Sequence, residues 1–326
     1  MVRDEFLARR EGEDAFEHKL RLCRAKVEHR IDADWQEIAD ALGLDVHYDT
    51  LRKAAYGLIE YDDHVRGQDS QMTRILSISD LHVPFQKPVS TFEQYAGRVD
   101  ILQINGDVCD AQAISRFPKT YRLSSMDEMV EARAYLIDLV EMIQPKKLMV
   151  NYGNHDLRLR DYLARNLDSD IAELMPNTSL ELILLDGFRH YDRRTKVKSE
   201  YAPLVDVLEN IEIKYTDSWW QQIGQTVFCH PMAFSGSPMK TAEKAMQFFR
   251  NEGLAFTSLV MAHTHHTGQY KIGNTMLYEQ GCCCDSAQMN YADGKLYNAQ
   301  KEGYVYMVQD SDGAAIPERT RVVYLN

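Results

Sequence analysis

"KLMVNYGNHD", residues 147–156, passes from an apolar run directly into two amides, a glycine, an imidazole and a carboxylate. The apolar half reads as a buried strand, and ligands of open α/β sheets gather beyond the carboxyl ends of strands. Four other segments end the same way. "RILSIS" (74–79) leads to Asp80 and His82, and "DILQIN" (100–105) leads to Asp107 and Asp110. "QTVFCH" (225–230) closes on His230, and "SLVMAH" (258–263) closes on His263 with His265 two residues on. Any one of these fragments reads equally well as a turn or a satisfied core histidine. Five strand ends that each carry an oxygen or imidazole donor point to one site assembled from several loops, with Asn154, His155 and Asp156 as one wall.

Working outward, "TMLYEQ" (275–280) and "YVYMVQ" (304–309) read as further strands, and helices are expected near 125–143, 156–173 and 239–251. Strand and helix alternate over the first three units, as in βαβ connections. The later strands lie closer together, with an Asp312-Gly313 turn signal, and suggest antiparallel pairing. The result is a layered α/β domain over residues 71–326. Residues 1–70 have a different texture: Ile31, Trp35, Ile38, Ala39, Leu42 and then Leu51, Ala54, Ala55, Leu58 recur at helical spacing, and "VRGQDSQMTR" (65–74) reads as a polar linker. Here "DWQEIADALGLDVHYDTLRKAAYGL" resembles a helix-turn-helix, with a turn at Gly43 and a second helix capped by Asp49 or a neighbour. As a groove reader it would set Arg52 and Lys53 on DNA phosphates; as a packing module it would touch only protein. Its 11 Lys+Arg against 17 Asp+Glu give 11 − 17 = −6, which disfavours DNA.

At 326 residues the chain can bury a large core. The net charge of −12 opposes long-range capture of phosphate polymers, so a nucleic-acid contact needs a local basic patch. The six cysteines include three in a row (Cys282, Cys283, Cys284) and no C-x-x-C pair, which fits reduced thiols. The start lacks the apolar core of a secretory signal, and no stretch has the length of a membrane span. A cytoplasmic protein is expected.

The set Asp80-Leu-His82, Gly106-Asp107-Val-Cys-Asp110, Gly153-Asn154-His155-Asp156, His230 and Ala262-His263-Thr-His265 resembles the calcineurin-like metallophosphoesterase superfamily. With the helical module in front, it is similar to phage-type members. The resemblance implies an αββα sandwich of two mixed sheets flanked by helices. It also implies a dinuclear centre in which Asp80, His82 and His265 hold one ion, Asn154, His230 and His263 hold the other, and Asp107 bridges. Mixed imidazole, carboxylate and amide donors suit Mn, with Fe or Zn as alternatives, better than Mg or Ca. Two such ions clamp a phosphoryl group and make a bridging hydroxide available near neutral pH. By the same resemblance His155 protonates the leaving oxygen or steadies the phosphate; Asp110, with Asp156 as the alternative, is expected to orient its ring. Asp156 is expected to cap the helix that begins "DLRLRDYL". Ala262 and Cys229 stand where the family favours glycine.

Substrate choice rests on the segments between motifs. Arg116 and Lys119, Arg158, and Arg193 with Arg194 are candidate phosphate contacts, and Trp219 or Trp220 could stack bases or lie in the core. A phosphodiester of nucleotide or nucleic acid, single-stranded or an end, is the leading expectation. A phosphomonoesterase or protein phosphatase is the alternative, and a non-catalytic DNA-binding or assembly protein is the third.

Overall fold

A computed structural model describes residues 6–10, 12–116, 123–288 and 300–325. The chain divides into two compact units, Met1–Met72 and Thr73–Asn326.

In the first unit, helices Ala15–Val27 (α1) and Trp35–Ala41 (α2) both begin on a reciprocal cap, Asp14 with Glu17 and Asp34 with Glu37. Gly43 turns the chain at φ +64°, a backbone state that glycine adopts without a Cβ clash. Tyr48–Ser70 (α3) then starts after His47, whose Nδ1 accepts the Asp49 N–H at 3.3 Å. The capping neighbour is thus His47, and Asp49 lies inside the helix. Leu22, Cys23, Ile38, Ala39, Leu51 and Ala55 form a small buried core. Asp62 and Asp63 of α3 grip Arg24 of α1 at 2.7 and 2.6 Å. The predicted linker is a correction: it is helical as far as Ser70, and strand resumes at Thr73. No proline interrupts it, and one glycine costs only about 1 kcal/mol in a helix interior.

The second unit holds the strands Thr73–Ile78 (β1), Ile101–Asn105 (β2), Lys147–Asn151 (β3), Phe188–Asp192 (β4), Val197–Tyr201 (β5) and Glu212–Thr216 (β6). Trp220–Ile223 (β7), Thr226–Cys229 (β8), Ser258–Met261 (β9), Thr267–Ile272 (β10), Thr275–Gln280 (β11), Gly303–Gln309 (β12) and Arg321–Tyr324 (β13) follow. The main helices are Ser125–Ile143 (α4), Arg158–Asn166 (α5) and Lys240–Asn251 (α6). One sheet runs β13-β12-β1-β2-β3-β6 and the other β10-β11-β9-β8-β7. Both are mixed, and helices flank them.

Alternation along the strands builds the layers. Ile75, Ile101, Met149, Val305 and Met307 meet Phe228, Val260 and Tyr278 between the sheets. The intervening residues face outward: Leu76, Leu102, Ile104 and Val150 pack against Leu136 and Leu139 of α4. Val227, Leu259 and Leu277 pack against Ala242, Met246 and Phe249 of α6. Each large apolar side chain so buried is worth about 1.5–3 kcal/mol. The expected antiparallel pairing of the later strands holds for β7–β8, β10–β11 and β12–β13 but not for β8–β9 or β9–β11, which are parallel. Helix α6 is the crossover that makes β8–β9 parallel. Residues 188–201, expected as a basic insertion, form the β4–β5 hairpin with Arg193 and Arg194 exposed at its turn. Helix 156–173 shortens to α5 and a single turn at Ser169–Ala172.

Candidate metal centre

The chain leaves β1, β2, β3, β8 and β9 at one edge of the two sheets and places the polar residues of the five strand ends together. Among the described residues the donor groups so formed include Asp80 with His82 and His265, and Asp107 with His230 and His263; His82 also groups with Asp110 and His155. In each, the donor atoms lie within 4.8 Å of one another. His265 Nε2 is 3.2 Å from Asp80 Oδ1 and 3.2 Å from His82 Nε2. Asp107 Oδ2 sits between the groups, 3.2 Å from His230 Nε2 and 3.9 Å from His82 Nε2. Asn154 Oδ1 is buried with no hydrogen-bond partner.

The loops reach these positions at a conformational cost. Asp80, His82, Asp107, His263 and His265 have φ of 50°, 45°, 53°, 81° and 53°, left-handed values that L side chains seldom take. Two glycines allow the close approach. Gly106 has φ +79°, and a Cβ there would meet Gly153 N at 2.5 Å and His230 Nδ1 at 2.7 Å. Ala262 and Cys229, by contrast, have no positive φ, so the missing family glycines cost nothing in backbone strain.

Asp156 corrects the sequence reading. It caps no helix; α5 has no side-chain cap. Fully buried, its carboxylate accepts the N–H groups of Asp107 and Gly153 at 2.8 Å each and of Val108 at 3.2 Å, fastening one site loop to another. Burial and the nearby Asp107 charge push its carboxyl up to about 7. Asp110 lies where it was expected, with Oδ1 3.0 Å from His155 Nδ1, and it is also 3.3 Å from His82 Nδ1. The Asp110 carbonyl accepts from the same His155 nitrogen at 2.9 Å. Arg158 approaches the other nitrogen, Nε2, at 2.9 Å.

A model of the calcineurin-like phosphoesterases matches residues 73–267. The chain belongs to that family. As a metallophosphoesterase it is a hydrolase of phosphoric esters, and its family works with divalent metals. Among solved structures, Vacuolar Protein Sorting 29 from Cryptosporidium parvum is 13% identical, covering 78% of this chain and 98% of its own at a TM-score of 0.37. An archaeal phosphodiesterase (12%, 78% and 100%, 0.35) and a metallophosphoesterase from Sphaerobacter thermophilus (13%, 78% and 88%, 0.34) are similar to the same extent. No curated protein matches.

Electrostatics in this phosphoesterase centre on buried carboxylates that demand positive charge. Burial raises Asp80, but the charges of His265 and His230 outweigh it and hold the carboxyl at about 2. Asp107 is driven well below the carboxylate range against the same burial penalty, by His230 and His155. Burial would lower His230, yet Asp107 and Asp80 lift it to about 9. His263 goes the other way, to about 3, because burial and the His230 charge both disfavour its cation.

The residues that sequence reasoning missed stand behind the donors. His230 Nδ1 is 2.7 Å from the Asn105 carbonyl, which fixes the ring so that Nε2 faces the site. Asn105 is held by Asn151 at 3.0 Å, and Asn151 by Gln103 at 2.9 Å, a buried polar ladder between the sheets. Its signal was present as the polar residues of "LQIN" and "MVN", which a purely apolar strand would lack. His266 is largely buried, 3.9 Å from Glu279. Arg116 is exposed, Lys119 lies outside the described residues, and Trp219 and Trp220 pack on Phe249, Trp219 at a ring distance of 5.1 Å. Arg52 and Lys53 are each 2.7 Å from Asp49 in their own helix. Among the described residues no helix is long and apolar enough to cross a membrane.

Proposed function

We propose that this phosphoesterase is dinuclear and hydrolyses a phosphodiester of a nucleotide or nucleic acid. Asp80, His82 and His265 would hold one divalent ion, Asn154, His230 and His263 the second, and Asp107 both. The donor set fits such ions: it mixes imidazole with carboxylate, suited to Mn, Fe or Zn, and includes the buried, unpartnered Asn154 Oδ1. Bound there, two ions would supply Lewis-acid charge to the phosphoryl oxygens and acidify a water.

The chain's own part in the reaction falls to His155. Asp110 and its carbonyl secure Nδ1, so the ring presents Nε2 at 3.9 Å from Asp107 Oδ2, toward the centre. In the free protein Nε2 accepts from Arg158; with Arg158 turned onto a phosphate oxygen and the ring protonated, Nε2 would donate its proton to the leaving oxygen. Arg158, 2.9 Å from that nitrogen, is placed to receive phosphate oxygens.

One observation carries the diester assignment. A groove of about 350 Å³ lined by Trp219, Pro231, Met232, Phe234, Lys244 and Phe248 opens beside the centre. The Phe234 ring lies 5.9 Å from that of His263. An aromatic second substituent such as a nucleobase would stack there, with Lys244 at the rim for a further phosphate. A phosphomonoesterase is the second reading, favoured by Arg158, since a dianionic monoester gains from one more cation beside the leaving group.

The test is a Mn-supplemented comparison of bis-p-nitrophenyl phosphate, p-nitrophenyl phosphate and single- and double-stranded DNA. Faster cleavage of the diester and of the single strand is expected. Charge reversal at Arg193 and Arg194 should raise KM for the polymer and spare the small diester. A preference for monoesters would make the second reading correct.

A further inference from the structure

The three consecutive cysteines take no part in the phosphoesterase reading, yet two of them abut it. Cys282 and Cys284 lie on one face of the segment after β11, fully buried against Phe85, while Cys283 points the opposite way into the main core. This is the alternation of extended backbone. The Cys282 and Cys284 sulfurs and a ring nitrogen of His265 lie within 4.8 Å of one another. His265 is 6% exposed, and its Nε2 already faces Asp80 and His82. Its other nitrogen, Nδ1, is buried without a hydrogen-bond partner. A buried ring nitrogen normally donates to a carboxylate or carbonyl when its ring holds a metal through the other atom. The two sulfurs lie beside this same ring.

We infer that Cys282, Cys284 and His265 Nδ1 form a separate site for a thiophilic d10 cation, zinc in the first instance, on the ring edge opposite Asp80. Two thiolates and an imidazole are a preferred zinc donor set, with metal–sulfur bonds of about 2.3 Å and metal–nitrogen bonds of about 2.0 Å. Such bonds set the donors about 3.5–4 Å apart, inside the 4.8 Å within which these three atoms gather. The frame is fixed on both sides by one residue: the Lys301 N–H donates to the His265 carbonyl at 2.7 Å, and the Lys301 carbonyl accepts from the Cys282 N–H at 3.0 Å. That carbonyl also lies 3.4 Å from Cys282 Sγ, available as a fourth, oxygen donor. Loading releases the two thiol protons to solvent. When the Asp80 side of the ring is also loaded, the imidazole loses its remaining proton as well and links the two cations. The site does not depend on which phosphoric ester is hydrolysed.

Cadmium is the probe, because its bonds to thiolate give an ultraviolet charge-transfer band that nitrogen and oxygen donors do not. The full chain, reduced and stripped of metal, is titrated with cadmium and then with zinc. The expected result is a thiolate–cadmium band in the wild type, unchanged in Cys23→Ser and lost in Cys282→Ser/Cys284→Ser, with metal uptake lower by one equivalent in the double variant. Should the double variant fail to fold, Cys284→Ser alone should weaken the band. A wild type that binds cadmium with all six thiols reduced and shows no thiolate band overturns the proposal. So does a band of wild-type strength in the folded double variant or in Cys284→Ser. Loss of phosphodiesterase activity has no bearing on this measurement, so the two readings fail separately.

Discussion

Two regions carry charges that the sequence marked for function, and they use them in opposite ways. At the start of α3, Arg52 and Lys53 stand exposed and both pair with Asp49 in the same helix. At the strand ends, Asp80, Asp107 and Asp110 are buried, and among the described residues the charged or chargeable groups that approach them are imidazoles and the Arg158 guanidinium, most of them from other loops. Exposed pairs of the first kind are screened by water and impose little on the chain. Buried carboxylates are tolerated only where partners or ions compensate them. A charge therefore signals a site when the fold has taken it out of water and gathered others around it.

The sharpest way to break the contrast is at Asp107. Asp107→Asn alters the carboxylate that lies between the two donor groups and that, on the dinuclear proposal, would hold both ions; hydrolysis should fall to background with both ions lost and the fold kept. Elemental analysis showing two bound transition metals in that variant would remove Asp107 from its bridging place. His155→Ala should leave both ions bound and cost on the order of 10²–10⁴-fold in rate. The loss should be smaller for nitrophenolate than for alkoxide leaving groups; an equal loss would move His155 from proton donor to phosphate holder.

A third measurement concerns protons. His230, lifted to about 9 by Asp107 and Asp80 against burial, keeps its proton at neutral pH in the metal-free protein. An incoming ion must displace it, so apparent affinity should climb by about tenfold per pH unit per displaced proton toward pH 9 and flatten beyond. Calorimetry in two buffers of different ionisation heat reads the protons released, and zero release at pH 7 contradicts the assignment. The smallest effect belongs to α3. Arg52→Ala with Lys53→Ala should leave phosphoesterase rates unchanged, and the full chain should show no duplex DNA binding in a low-salt filter assay. Salt-dependent binding that the double variant flattens would restore the groove-reading role.

Much of the fold was legible because apolar runs announce strands, and seven of them stand within one or two residues of their expected ends. The β4–β5 hairpin was not, since "FRHYD" and "VKSEY" are too charged to read as strands while they lie exposed. Parallel pairing of β9 with β11 was hidden because β10 intervenes in sequence but joins at the far edge of the sheet. At the site, the donors were legible as residues that follow strands. Asp156 was misread because a carboxylate before a helix usually caps it, and nothing local reveals that the Asp107 loop brings two N–H groups to it. The Asn105 carbonyl behind His230 is main chain and leaves no trace in side-chain identity.

The left-handed backbone at Asp80, His82, Asp107, His263 and His265 also decides which replacements can be interpreted. A β-branched residue at any of these positions would disturb the loop as well as delete a donor, and a lost activity would then have two causes. Asparagine enters this region more readily than most L residues, and glycine does so freely. Scanning each position with asparagine, glycine and valine sorts the two causes: loops whose valine variant melts well below the asparagine one are held in shape by side-chain choice. Loops where all three melt alike are held by their neighbours, and those are the ones into which a different donor set could be grafted.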